Sequence, residues 1–181
     1  MKSTILLSTV CLFALTLGFG QTFTLRSNDV GGQATEKQVF NGFGCSGANV
    51  SPQLSWESAP EGTKSYAVTM YDPDAPTGSG WWHWLIFDMP ATTQQLPSNA
   101  GNVGANLAPV GSIQSMTDFG QPGYGGPCPP AGHGSHKYII TVFALKVEKL
   151  GLDEKAPPAL VGYNLNANTI QKASIIMYYG R

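Results

Sequence analysis

Charge is scarce in this chain. Only 12% of its 181 residues are charged, with ten Lys and Arg against eleven Asp and Glu and a formal net charge of −1. A protein that neutralises phosphates along a nucleic acid needs a basic excess, so that class of partner is excluded. Histidine and cysteine are equally sparse, at three residues each. No H-x-x-x-H pair and no clustered Cys/His spacing occurs, so a protein metal site has no signature here. Long apolar runs are missing too. The longest near the start, residues 5–17, falls short of the ~20 residues that a membrane-spanning helix needs. Gly42, Gly44 and Gly47 spell G-x-G-x-x-G, but Ser51-Pro52 follows and no helical period does. A nucleotide cofactor is therefore not expected, and the triplet reads as a loop that needs positive φ. No internal repeat is present.

Turn chemistry, by contrast, is plentiful. Twenty-two glycines and 13 prolines divide the chain into short segments. Residues 1–20 read as a secretory signal: Lys2 gives the positive start, residues 5–17 the apolar centre, and Gly18-Phe19-Gly20 the small-residue cleavage site. The mature chain then starts at Gln21, and residues 21–181 suit one domain. A membrane anchor is the competing reading, and the short apolar run speaks against it. Export leaves two cysteines, Cys45 and Cys128. An even pair in an oxidising compartment is expected to form a disulfide, with two separate buried thiols as the alternative.

Thr22-Phe23-Thr24-Leu25 alternates as a first strand, and Leu54-Ser55-Trp56 reads as another. Residues 65–71 place Tyr66, Val68 and Met70 on one face and Ala67, Thr69 and Tyr71 on the other. Residues 81–89 form the next strand, where strict alternation puts Trp81, His83, Leu85 and Phe87 on one face. Residues 91–130 hold no long period, and a loop of that length points to function. Residues 138–147 are apolar and β-branched, as in a strand buried on both faces. The helix candidate is 153–168, with Pro157 and Pro158 in its first turn and Ala159, Leu160, Tyr163 and Ala167 as its apolar stripe. Residues 173–179 read as a final strand. The fold class is mainly β: an antiparallel sandwich of Greek-key type with one or a few short helices near the C-terminus.

Chemistry concentrates at two corners. Tyr71-Asp72-Pro73-Asp74-Ala75-Pro76 sets two carboxylates in a turn stiffened by two prolines, with Trp81-Trp82-His83-Trp84 just behind. Pro127-Cys128-Pro129-Pro130 leads into Gly132-His133-Gly134-Ser135-His136. If these strand ends converge, Asp72, Asp74, His83 and His136 share one pocket walled by Pro129 and Pro130. Imidazole N–H groups would donate to an anion, an aspartate would fix the tautomer, and free N–H groups of the glycine-rich turn would add donors. Aromatic walls would take an apolar tail. A metal held by Asp and His lacks ligand spacing. A hydrolase built on Ser135 lacks a nucleophile elbow, since strand neighbours Ser135 and His136 point to opposite faces. Asp118-Phe119-Gly120 matches a kinase metal-binding triplet by letters alone, and Asn49-Val50-Ser51 is a glycosylation sequon that the following Pro52 disfavours.

Taken in order, Tyr71-Asp72-Pro73-Asp74-Ala75-Pro76, Gly80-Trp81-Trp82-His83-Trp84, Gly126-Pro127-Cys128-Pro129-Pro130-Ala131-Gly132 and Ser135-His136-Lys137-Tyr138 resemble the phosphatidylethanolamine-binding protein family, most of all its bacterial, Raf kinase inhibitor-like branch. The likeness runs from about residue 23 to residue 181. It implies a β-sandwich with a small anion pocket at one end, and it puts Asp72, Asp74, His83, Pro129, Pro130, His136 and Tyr138 on the ligand-pocket positions. The resulting expectation is an exported, non-catalytic binding protein for a small anionic ligand or phospholipid headgroup, without cofactor or metal. A homodimer is one assembly open to it. The alternative is a protein-interaction module, such as an inhibitor of a secreted protease or a partner of a host protein, working through an exposed loop between Ala91 and Gly126.

Overall fold

Alternation in the longest strands decides the layering, in a computed structural model that describes residues 22–181. The expected signal sequence, residues 1–20, lies outside the described residues. The strands are β1 (Thr24–Arg26), β2 (Asn41–Gly42), β3 (Cys45–Ser46), β4 (Leu54–Glu57), β5 (Ser65–Asp72), β6 (Trp81–Pro90), β7 (Gln95–Leu96), β8 (Ile113–Gln114), β9 (His136–Leu145) and β10 (Thr169–Tyr179), with one helix, α1 (Pro158–Asn168), before the last. The larger sheet has the order β10-β9-β5-β6-β8 and the smaller β1-β4-β7, while β2 and β3 form a separate hairpin. Every pair of strands is antiparallel.

Tyr66, Val68 and Met70 of β5 and Tyr138, Ile140 and Val142 of β9 face the smaller sheet, where Leu25, Leu54, Trp56 and Leu96 close a core. Ala67, Leu85, Phe87, Phe143 and Leu145 face the other way and are covered by Val161 and Leu165 of α1 and by Ala156. The large sheet is thus buried on both faces, which is why β5 and β9 read as nearly unbroken apolar runs. Each large side chain taken wholly out of water there, Trp84 and Tyr138 among them, contributes about 1.5–3 kcal/mol. The antiparallel sandwich with one short helix near the C-terminus is the fold class expected from the sequence.

Three local readings change. The helix starts at Pro158, not 153, and buries Val161 and Leu165 while Leu160 and Tyr163 stay exposed. Val161 and Leu165 pack against the sheet, and Gly162 beside them faces the Trp82 ring at ordinary contact distance. Asn168 passes directly into β10, which therefore begins at Thr169, ahead of the expected start. The third change is a β-bulge. Met70 pairs with Trp84 but Tyr71 pairs with Trp82, which leaves His83 as an extra residue in β6. Leu85 and Phe87 belong to the helix side, whereas His83 packs on Tyr138 of the opposite side. The bulge thus separates His83 from Leu85 and Phe87, with which strict alternation had grouped it.

Candidate functional site

At one end of the large sheet, the face turned to the smaller sheet gathers polar groups. Asp72 follows Met70 by two residues at the end of β5, and His136 precedes Tyr138 by two at the start of β9. Period-two alternation therefore carries both onto the inner face, and β5 and β9 are neighbours in the sheet. The bulge brings His83 to the same face. All three side chains are buried.

Asp72 and His136 form the central pair. His136 Nδ1–H donates to Asp72 Oδ2 at 2.7 Å, and the other carboxylate oxygen accepts from the Asp74 N–H at 2.8 Å. Holding Nδ1–H this way leaves Nε2 as an acceptor in the neutral ring, and His133 Nδ1 lies 2.8 Å from it. In a charged ring, Nε2–H becomes a donor that must find His133 or a ligand. Ser135 is exposed and is not among the residues that bond His136.

His83 behaves differently from its expected role as an anion donor. Its Nδ1–H donates to the Gly125 carbonyl at 2.7 Å, and its own carbonyl accepts from the Gly125 N–H at 2.9 Å. Burial pushes the imidazole pKa down to about 4, against the opposing pull of that carbonyl. The ring is neutral at ordinary pH, and Nε2 is then an acceptor. Tyr138 is wholly buried, and desolvation, with the Asp72 carboxylate nearby, raises its hydroxyl far above the usual value. It stays an O–H donor.

A cavity of about 210 Å³ opens over these groups. Of the seven residues expected at the site, Asp72, His83, Pro129, Pro130, His136 and Tyr138 line it, and Asp74 does not. The Asp74 carboxylate is taken up by the Lys137 ammonium and the Lys137 N–H, each at 2.9 Å, and these bonds hold its pKa below the ordinary carboxylate value. It ties the turn after β5 to the start of β9. Backbone donors near the site are partly taken up: Gly132 N–H donates to the Arg181 carbonyl at 2.8 Å. Gly125 N–H is used by His83, and Gly126 N–H donates to Asn49 Oδ1 at 2.7 Å. Asn49, whose Nδ2 also donates to the Tyr124 carbonyl, is a structural clamp.

The cavity also has walls that the sequence reading left out. Phe43, Trp81 and Phe119 line it alongside the predicted set. Phe43 sits in the two-residue turn between β2 and β3, and Phe119 belongs to the triplet set aside as a coincidental match. The triplet has a use of its own: Asp118 Oδ2 accepts from the Trp82 N–H at 2.7 Å and helps fix the bulge. The Cys45–Cys128 disulfide is formed, across a sequence separation of 83 residues, and joins the turn that bears Phe43 to the Pro129-Pro130 wall. Arg181 strengthens that join by donating from Nε to the Pro129 carbonyl at 2.7 Å, and from Nη1 and Nη2 to the Gly44 and Phe43 carbonyls at 3.0 and 3.1 Å. Among the described residues, no cluster of three or more His, Cys, Asp or Glu side chains is arranged to hold a metal.

Known proteins share this framework. A family model described as phosphatidylethanolamine-binding protein matches residues 30–180. The chain is 49% identical over 178 residues to the UPF0098 protein YbcL of Escherichia coli, with 97% of each chain covered. It is 49% identical over 153 residues to YbhB of the same organism, covering 83% of this chain and 96% of YbhB. The crystal structure of E. coli YbcL, described as a new member of the mammalian family, matches with a TM-score of 0.86 and 52% identity over 88% of this chain and 98% of that one. The region matched by the family model contains every wall of the cavity, and the relatives agree with it nearly end to end: the chain belongs to the phosphatidylethanolamine-binding protein family.

Proposed function

We propose that this is an exported, non-catalytic binding protein whose cavity takes a small ligand by a phosphate or carboxylate group. The observation that carries the reading is the buried Asp72–His136 pair in a small, largely apolar cavity. The carboxylate orients the imidazole so that Nε2 faces His133 at 2.8 Å; in the charged ring that Nε2–H can donate to a ligand in place of His133, and the Tyr138 hydroxyl is a further donor. Neutral His83 adds an acceptor, so a head group that both accepts and donates, such as a hydrogen-phosphate monoester or an aminoalkyl phosphate, suits the set. A phospholipid headgroup is of this kind, and the family name supports it. Binding without turnover is favoured because the side-chain partners of His136 are Asp72 and His133, not a hydroxyl or thiol nucleophile. Export is supported by the leader-like residues 1–20 and by a disulfide of a type that persists in oxidising surroundings.

Calorimetry with phosphoethanolamine tests the reading. His136→Asn keeps an N–H donor for Asp72 and deletes Nε2, so affinity should fall at least about tenfold. Unchanged affinity would remove the pocket from the function. One observation favours a second reading, an interaction module: Val103, Leu107 and Val110 stand exposed on the loop after β7, Val110 at 94%. Under that reading, pull-down of a protein partner would survive His136→Asn and fail when Val110 is made Asp.

A further inference from the structure

The residues around the acid–imidazole pair are a poor match for a bare phosphate. From Phe43 a chain of rings runs inward: Phe43 stacks on Phe119 at 5.8 Å with 15° between planes, and Phe119 meets the edges of Trp81 at 5.6 Å and His83 at 5.3 Å. His83 in turn meets Tyr138 at 5.1 Å. Three of these side chains are carbon surface in the cavity wall.

Phe43 is out of place by every local rule. It holds φ of 53° in the first position of a turn whose second residue, Gly44, has φ of 84°. Such two-residue hairpin turns favour Asn-Gly. A bulky side chain in the left-handed region is strained, and strain of this kind collects at functional sites. The ring touches Phe40 at 5.4 Å and Phe119 at 5.8 Å but stays 67% exposed, so most of its surface is left open in this conformation. Yet the turn is held on both sides, by the Cys45–Cys128 bridge and by the Arg181 bonds to the Phe43 and Gly44 carbonyls. An exposed apolar ring, strained and rigidly mounted beside a cavity, is a prepared contact surface.

We propose that the cavity is specific for ligands in which the anionic group is attached to a planar apolar body about one ring in size, and that Phe43 is the residue that sets this preference. The proposal rests on the anion reading above and narrows it. Size agrees: an apolar cavity of ~150 Å³ holds benzene, so about 210 Å³ leaves room for a ring and a head group of a few atoms. Aryl phosphates and aryl carboxylates are the ligand class, and the ring would lie against Phe43 and Phe119 with its anion toward His136 and Tyr138.

Three probes separate the parts by calorimetry on the mature, oxidised protein: phenyl phosphate, methyl phosphate and benzyl alcohol. Phenyl phosphate should bind about tenfold tighter than methyl phosphate, the size of a good ring–ring contact. Phe43→Asn suits the turn, so the melting temperature should not fall, while the phenyl-to-methyl ratio should drop severalfold towards one. Phe43→Gly, which also suits positive φ, repeats the measurement. Equal affinities for the two phosphates, or a ratio that neither variant changes, overturns the proposal. Binding of benzyl alcohol but of neither phosphate would sink the anion reading alone; the ring preference then stands or falls on whether Phe43→Asn abolishes benzyl alcohol binding. Failure of all three probes overturns both.

Discussion

Acid should unfold this protein through His83. The folded imidazole titrates at about 4, held down by burial, whereas an unfolded histidine titrates near 6.5. Between those values the unfolded chain carries a proton at this position that the folded chain refuses. Stability must therefore rise with pH across that window and be lost as pH falls through it, the reverse of a histidine that gains an acidic partner. A difference of about 2.5 pH units corresponds to roughly 3 kcal/mol at 1.36 kcal/mol per unit. His83 is only 4% exposed, so solvent screening takes little from that figure. For a domain of this size the melting temperature should drop by about 10 °C between pH 7 and pH 4 from this residue alone. Circular dichroism melts at half-unit pH steps, without reductant, provide the profile. Other acids contribute to it as well, so His83→Asn is the control. Its side-chain amide can still donate to the Gly125 carbonyl but does not titrate. The wild-type and variant curves should run together above pH 6.5 and separate towards pH 4, where wild type loses the full amount and the variant does not. Parallel curves over the whole range would refute the claim that a buried neutral imidazole limits acid stability.

Two further outcomes follow from residues beside the site. Asp74→Asn should lower stability by less than ~1 kcal/mol, because its partner Lys137 is 42% exposed and water already screens the pair. Because Asp74 does not line the cavity, phosphoethanolamine affinity should stay within about twofold; a tenfold loss would return Asp74 to the pocket. Gly126→Ala should be far more damaging. Its Cβ would lie 1.9 Å from the Gln38 carbonyl oxygen, a backbone atom that cannot yield, so denaturant melts should show a loss above ~3 kcal/mol or no folded protein.

Much of the scaffold was legible in the amino-acid order because period-two burial is local. Tyr66, Val68 and Met70 facing one way and Ala67 the other needed only the rule of alternation; Asp72 and His136 come under the same rule only because β5 and β9 extend to them, beyond the strand ends read from the sequence. What escaped notice depends on distant partners. The bulge at His83 is fixed by Gly125, 42 residues away, and by Asp118, 36 residues from Trp82. No pattern within residues 81–89 announces it. Phe43 and Phe119 lie far apart in sequence and meet beside the Cys45–Cys128 bridge, and the inward face of α1 is set by Val161 and Leu165 packing on the sheet. Asp74 looked equivalent to Asp72, since both are carboxylates in one turn. Its separate role becomes clear only once Lys137 is beside it. The one cue available for the missing wall was Phe43 itself, an aromatic residue where a Phe-Gly turn would ordinarily prefer asparagine.

The bulge in β6 has a consequence for how such a protein can change. Pairing resumes in register on either side of one unmatched residue, at Met70 with Trp84 and Tyr71 with Trp82. The ladder absorbs one extra residue here, and that residue alone turns the imidazole to the inner face. Losing it would restore strict alternation and send residue 83 to the helix side, while Asp72 and His136, placed by β5 and β9, would stay where they are. The acceptor in the cavity can thus be exchanged without disturbing the acid–imidazole pair.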